Sequence, residues 1–324
     1  MNILITGGAG FIGSHLAERL LTEGHEVYII DNLSTGSLDN IEGIKKNQRC
    51  HLVIDSVLNE GVMNEMAGKC EEIYHLAAAV GVRLIMENPV ETIETNVRGT
   101  EVVLRMANLF KRKVLIASTS EVYGKAMDIK DENGALSEES DLLIGPTSRR
   151  RWAYACSKAL DEFLALAYHD EKGLPVVITR LFNTVGPRQT GRYGMVIPTF
   201  VQSALLGKPL PVFGTGSQSR SFTHVSDVVE AMVALMRYPG AVGQIVNVGS
   251  GEEITIEQLA EKIIAYTGSK SSIDHIPYER VYGKGFEDME RRRPDLAKIK
   301  QLIGYSPKNT IDDIIEAVVG YYES

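Results

Sequence analysis

The stretch Thr6–Gly13, TGGAGFIG, decides how the chain is read. It follows the apolar run NILIT and leads into the amphipathic run SHLAERLLTEG. Glycines at 7, 10 and 13 between a strand and a helix give each glycine a task. Gly7 permits a tight turn, Gly10 lets backbone approach a pyrophosphate, and Gly13 lets helix and strand pack closely. The free N–H groups and positive dipole end of the helix that the stretch opens suit a diphosphate, with Phe11 and Ile12 among the expected cofactor contacts. The next strand-like run, EVYIID, ends at Asp31, about 20 residues on, where a carboxylate accepts ribose hydroxyls. That carboxylate repels a 2′-phosphate, so the pattern predicts NAD rather than NADP.

Outward from this turn, strand-length runs rich in Val, Ile and Leu alternate with helical periods: EVYIID, HLVID, EIYHLAA, KVLIAS and VVITRLFN. Buried strands alternating with helices predict an α/β fold, a doubly wound parallel sheet of Rossmann type. After Gly186 the text becomes rich in Gly, Pro and Ser, then helical again in TIEQLAEKIIAYTG and TIDDIIEAVVGYY. The expected division is an NAD-binding domain over 1–185 and a smaller α/β substrate-binding lobe over 186–324. The strand at 244–250 is expected to rejoin the main sheet. A cleft between such lobes is a usual ligand site.

Bulk properties narrow the function. The 324 residues carry a formal net charge of -8, which argues against nucleic acid or an anionic membrane as partner. Cys50, Cys70 and Cys156 form neither a metal spacing nor a disulfide framework, so no metal is expected and a reducing cytoplasm fits. No run approaches the roughly 18 apolar residues of a membrane span, and MNILITGG lacks the features of a signal peptide.

The spacing TGxxGxxG resembles the extended short-chain dehydrogenases/reductases. DNLSTG (31–36), HLAAAVGV (75–82) and Asn96 in ETNVRGT are similar to that family's segments after the second and fourth strands and in the next helix. The resemblance implies cofactor contacts at Asp31, Asn32, Ser34, Gly36, Leu76, Ala77, Ala78 and Asn96, with Asp55 and Ser56 facing the adenine. It also makes sense of YACSK (154–158) and IASTSEVYG (116–124). In the family a YxxxK pair follows the fifth strand, and a Ser or Thr at that strand's end completes a triad. Here that implies Tyr154, Lys158 and Thr119, with Ser118 and Ser120 as weaker choices for the hydroxyl.

One helical turn separates Tyr154 from Lys158, so both point to one face. A tyrosine titrates near 10, and a base for neutral pH sits about 3 units lower, a difference of roughly 4 kcal/mol. An ammonium about 4 Å away supplies about that much, and one about 7 Å away only about 2.4 kcal/mol. With the lysine also reaching the ribose, the cofactor's positive charge must supply the remainder. The later text is similar to the family's nucleotide-sugar epimerases, dehydratases and decarboxylases. Asn183 in TRLFNTVGPR, Arg220 in GTGSQSRSF and Arg292 in ERRRPD are the implied UDP-sugar contacts, since arginines recognise diphosphates bidentately. The run RRR at 149–151 reads as solvated surface.

The reaction is expected to begin by oxidation at sugar C4. Ser120-Glu121 stands where the dehydratases place Asp-Glu, which argues against dehydration. Glu121, RWAY and YGKGFEDMERRRPD resemble UDP-glucuronate decarboxylases, whereas AAVGVRLIMENP and GPRQTGRYGMVIPTF resemble UDP-sugar 4-epimerases. Arg83 and Arg192 are candidates for pairing a C6 carboxylate. The 4-epimerase reading, by hydride return to the opposite face, is preferred here, with the decarboxylase as the alternative. A non-catalytic dinucleotide-binding protein is the third reading, and the intact Thr119, Tyr154 and Lys158 speak against it. The family's usual homodimer, through a four-helix bundle, suits the multi-faced apolar helix SKALDEFLALAYHD (157–170).

Overall fold

The computed structural model describes residues 1–81, 88–128, 134–191, 195–282 and 291–323. In chain order these form β1 (Asn2–Thr6), α1 (Phe11–Thr22), β2 (Glu26–Asp31), β3 (Cys50–Ile54), α2 (Glu60–Lys69), β4 (Glu72–His75) and α3 (Pro89–Phe110). Next come β5 (Lys113–Thr119), α4 (Trp152–Lys172), β6 (Val176–Leu181), β7 (Thr184–Val185), α5 (Val196–Leu205), β8 (Leu210–Phe213), β9 (Ser219–Ser221) and β10 (Thr223–His224). The last elements used here are α6 (Val225–Arg237), β11 (Gln244–Val248), β12 (Glu253–Thr255), α7 (Ile256–Thr267), β13 (Ile273–Ile276), α8 (Ala297–Ile303) and α9 (Ile311–Glu323).

Seven strands form one parallel sheet in the order β11-β6-β5-β4-β1-β2-β3. The direction of winding reverses between β1 and β4, so a crevice opens above the carboxyl ends of those strands. Strand alternation divides the core between the two faces. Ile3 and Ile5 of β1 pack with Leu16 and Leu20 of α1 and Met232 of α6. Leu4, between them, packs on the opposite side with Met63 of α2, Val103 of α3 and Ala165 of α4. Beyond β6, β11 carries the chain back into the sheet, with Val246 paired to Thr179.

A separate apolar cluster lies outside the sheet. It joins Ile197 and Phe200 of α5, Val212 of β8, Leu259 of α7 and Ile314 of α9. Two short ladders, β13 with β8 and β12 with β9, lie beside it. Among the described residues no helix is long and apolar enough to cross a membrane.

Candidate active site

A cavity of about 1070 Å³ runs from the glycine turn, over the carboxyl ends of the sheet, to Pro211, Phe213 and Tyr278. At one end Gly7 adopts φ +71, and a Cβ there would sit 2.8 Å from Ala77 N. A Cβ at Gly13 would lie 2.2 Å from Gly7 O, so only glycine allows α1 to approach the turn. The first turn of α1 has neither an acidic residue nor a side-chain cap, which leaves its N–H groups for an anion. Asp31 accepts from Ala9 N (2.9 Å) and Leu33 N (2.8 Å), so the carboxylate braces the turn it faces. Burial raises its pKa while those backbone donors lower it.

Gly7, Gly10, Phe11, Ile12 and Gly13 line this end together with Asp31, Asn32, Ser34, Asp55, Ser56, Leu76, Ala77 and Ala78. Gly36 stands behind them, where a Cβ would press on Ala9 and Asp31 at 3.0 Å. Asn96 is also behind the wall. It accepts from Ala79 N (2.8 Å) and reaches Ser157 Oγ at 3.4 Å, tying the loop after β4 to α4. An uncapped helix end, a glycine-only turn and a buried carboxylate 22 residues from Ala9 together fit a dinucleotide.

The other functional groups meet where β5 and α4 converge. Thr119 ends β5 and caps the turn that follows, accepting from Glu121 N at 3.2 Å. Tyr154 projects from the first turn of α4 into the cavity and is only 8% exposed. Burial pushes its phenol pKa up, Glu121 and Asp161 push it further, and a hydrogen bond from Thr119 and the charge of Arg292 pull it down. The protein's own groups therefore favour the protonated phenol.

Lys158 departs from the sequence expectation. It does not line the cavity, and its Nζ bonds Asp161 Oδ2 at 2.8 Å with side-chain exposures of 2% and 0%. A lysine placed to tune a phenol needs no carboxylate beside it, but a buried ammonium does. Behind this pair, His75 lies between Thr6 Oγ1 (2.7 Å) and Thr100 Oγ1 (3.1 Å). Burial and the Lys158 charge lower it to about 3, so it is a neutral strut.

Glu121 is the electrostatic centre of this end of the cavity. Arg292 donates to one of its oxygens and Arg151 Nη2 to the other at 3.4 Å. Burial pushes Glu121 up, yet the two arginines outweigh it and hold the carboxyl at about 2. Arg292 also donates to Asn183 Oδ1 at 2.7 Å. Asn183, at φ +26, in turn donates to Ser221 O at 2.8 Å. Arg220 donates to Ser219 O (2.8 Å) and lines the same cavity, as does Ser120. Ser118 is turned inward to Glu162, which Arg180 also binds, so this hydroxyl belongs to the interior.

One further reading changes. Arg151 is not solvated surface: it is 8% exposed, stacks on Trp152 at 5.4 Å and pairs with Glu121. Its position three residues before Tyr154 is the signal that places both on one helix face. Asp161, three residues after Lys158, carried the same signal. Arg83 and Arg192 lie outside the described residues. Among those residues no group of three or more His, Cys, Asp and Glu could hold a metal.

The GDP-mannose 4,6 dehydratase family model matches residues 4–318. The chain is 43% identical over 320 residues to UDP-N-acetyl-alpha-D-glucosaminuronate decarboxylase of Bacillus cytotoxicus, covering 98% of this chain and 97% of that one. It is 36% identical to UDP-glucuronic acid decarboxylase 1 of Danio rerio over 99% of this chain and 72% of that protein. Among solved structures, UDP-glucuronic acid 4-epimerase from Bacillus cereus, in complex with UDP-glucuronic acid and NAD, superposes with a TM-score of 0.87. That match has 31% identity over 100% of this chain and 99% of the other. The glycine turn, Thr119 and Tyr154 on the wall of one cavity, and these likenesses agree: the chain belongs to the GDP-mannose 4,6 dehydratase family of NAD-dependent, nucleotide-sugar-modifying enzymes, within the extended short-chain dehydrogenases/reductases.

Proposed function

We propose that the protein is a decarboxylase of a UDP-hexuronate, acting through a transient ketone at C4. The observation that carries this reading over the 4-epimerase preferred from sequence is Glu121, held ionised between Arg292 and Arg151 beside Tyr154. Two guanidinium groups around one carboxylate leave a local surplus of positive charge, which suits a second carboxylate entering on the sugar. The relatives named as decarboxylases support the same choice.

In this proposal residues 1–185 hold the dinucleotide and most of 186–324 hold the UDP-sugar. NAD, held by the glycine turn, Asp31 and the loops after β3 and β4, supplies the hydride acceptor at C4 and later the donor. Tyr154, as the phenolate that the positive charge of the oxidised dinucleotide would favour against the burial that raises its pKa, takes the C4 hydroxyl proton, and Thr119 hydrogen-bonds the same oxygen. The C4 ketone makes the C6 carboxylate part of a β-keto acid. The C5–C6 bond breaks, its electron pair passes to the C4 oxygen as an enolate, and carbon dioxide leaves. Tyr154, which its surroundings favour as the protonated phenol, then donates to that oxygen. A proton from solvent enters C5. Charge thus moves from beside Arg292 and Arg151 towards Tyr154 and Thr119 as the bond breaks, and Glu121 limits how strongly the arginines hold the starting carboxylate.

The test is incubation with NAD and either UDP-glucuronate or UDP-N-acetylglucosaminuronate, each labelled at C6. Labelled carbon dioxide and a UDP-pentose are expected, and preference between the two reports the C2 group. A six-carbon epimer with no gas would return the assignment to 4-epimerase. Tyr154→Phe should lose about 100-fold to 10,000-fold in kcat, the usual range for a general acid–base group.

The proposal extends to a homodimer. Leu160 and Phe163 on α4 and Leu109 on α3 are exposed large apolar side chains on two helices that pack together. A pair of such faces would form a four-helix bundle. Phe163→Glu should convert the protein to monomers in sedimentation, and a wild-type monomer at micromolar concentration would remove this part.

A further inference from the structure

Arg292 reaches the cavity from a strap of chain, residues 291–295, with an arginine on either side of it. Downstream the strap is pinned by backbone. Leu136 N donates to Arg293 O at 2.9 Å, Asp295 N to Leu136 O at 2.7 Å, and Pro294 packs so closely on Gly249 that a Cβ there would lie 2.8 Å from it. Upstream the hold is made by side chains. Arg291 binds Glu253 of β12 with two donors, Nε to Oε1 at 2.8 Å and Nη2 to Oε2. Ser219 Oγ donates to the same carboxylate at 3.1 Å, and Arg293 Nε lies 3.8 Å from it. The Arg291 guanidinium also covers Gly134, where a Cβ would meet Nη1 at 2.4 Å.

We propose that Glu253 is a positioning residue for Arg292. Its carboxylate does not line the cavity, yet it gathers both arginines that flank Arg292 in sequence. It also sits on the strand paired with β9, with Glu253 opposite Ser221 and Ile254 opposite Arg220. Ser221 accepts from Asn183 through its carbonyl and reaches Arg292 O with its hydroxyl at 3.4 Å. One carboxylate therefore registers the strap against the strand that carries Arg220 and braces Asn183. A fork-to-fork arginine–carboxylate pair sets direction as well as distance, and Arg292 must point at Glu121 and Asn183 together. The inference rests on the reading that Arg292 acts on the UDP-sugar.

The test is a double-mutant cycle in the full-length enzyme with NAD and UDP-glucuronate. Glu253→Gln should lower kcat/KM about tenfold, less than the roughly 100-fold that a 1 Å misplacement can cost, and leave NAD affinity within about twofold. In an Arg292→Lys background the same change should cost less than about twofold, because the group it aims has already been altered. Equal losses in both backgrounds mean that Glu253 serves only general stability and overturn the proposal, as does no loss in either. Should Glu253→Gln not fold, Arg291→Met removes the same bond from the strap side and runs the same cycle. Full activity in Arg292→Lys and Arg292→Met alone overturns the reading of Arg292 itself, whatever Glu253 does.

Discussion

Lys158 and Asp161 form a fully buried ion pair on α4, Nζ to Oδ2 at 2.8 Å, one turn from the phenol of Tyr154. The pair neutralises locally the charge that the YxxxK pattern offers to the tyrosine. Burial raises Asp161, and Lys158 and the Thr100 hydroxyl lower it. Facing Tyr154 from the neighbouring elements are Glu121 and Arg292, with Thr119 hydrogen-bonded to it.

Asp161→Asn removes an anion that raises the Tyr154 pKa. The phenol should ionise more readily, so the acid limb of the kcat/KM profile should move to lower pH. Two charges about two helical turns apart at an effective dielectric near 20 interact enough for a shift of about one pH unit. An acid limb that stays in place would show that Asp161 only supports Lys158.

Arg151 and Arg149 are two residues apart but differ in surroundings: one is buried against Glu121 and Trp152, the other exposed. Arg151→Met should reduce kcat/KM by about 10-fold to 100-fold, since a buried carboxylate loses one of its two cations. Arg149→Met should leave the kinetics near wild type. Steady-state rates of the two variants, measured in parallel, decide between site and surface.

Glu121 imposes a pH dependence on stability. Its folded-state pKa, about 2, lies below the ordinary value of 4.5. The stability it contributes is therefore present above about 4.5 and lost as pH falls towards 2. Melting temperatures across this window should fall less steeply for Glu121→Gln than for wild type. Parallel curves would show that the arginines do not hold this carboxylate.

Gly13→Ala tests the dinucleotide turn. The added methyl would sit 2.2 Å from Gly7 O and 2.7 Å from Gly8 Cα, both backbone atoms. Moving the turn should cost about 1–3 kcal/mol of stability and loosen NAD measurably in fluorescence titration. Gly251→Ala, with open space at its Cβ, is the control.

Much of this was legible in the sequence because it is written in short-range spacing. Gly7, Gly10 and Gly13 have tasks fixed by a single strand–turn–helix, and β-branched runs alternating with helical periods allow few arrangements other than a parallel sheet. Tyr154 and Thr119 could be named only through the resemblance to the short-chain dehydrogenases/reductases, since a tyrosine four residues before a lysine says nothing by itself. The partners of these residues could not be read, since they depend on contacts between distant segments. Glu121 meets Arg292 across 171 positions, and no local period announces that meeting. Only the folded chain decided that Lys158 faces Asp161, that one arginine of a basic triplet is buried, and that Glu253 grips the strap. Burial and charge pairing are properties of an assembled interior, where the low dielectric makes each ion's nearest neighbour decide its role.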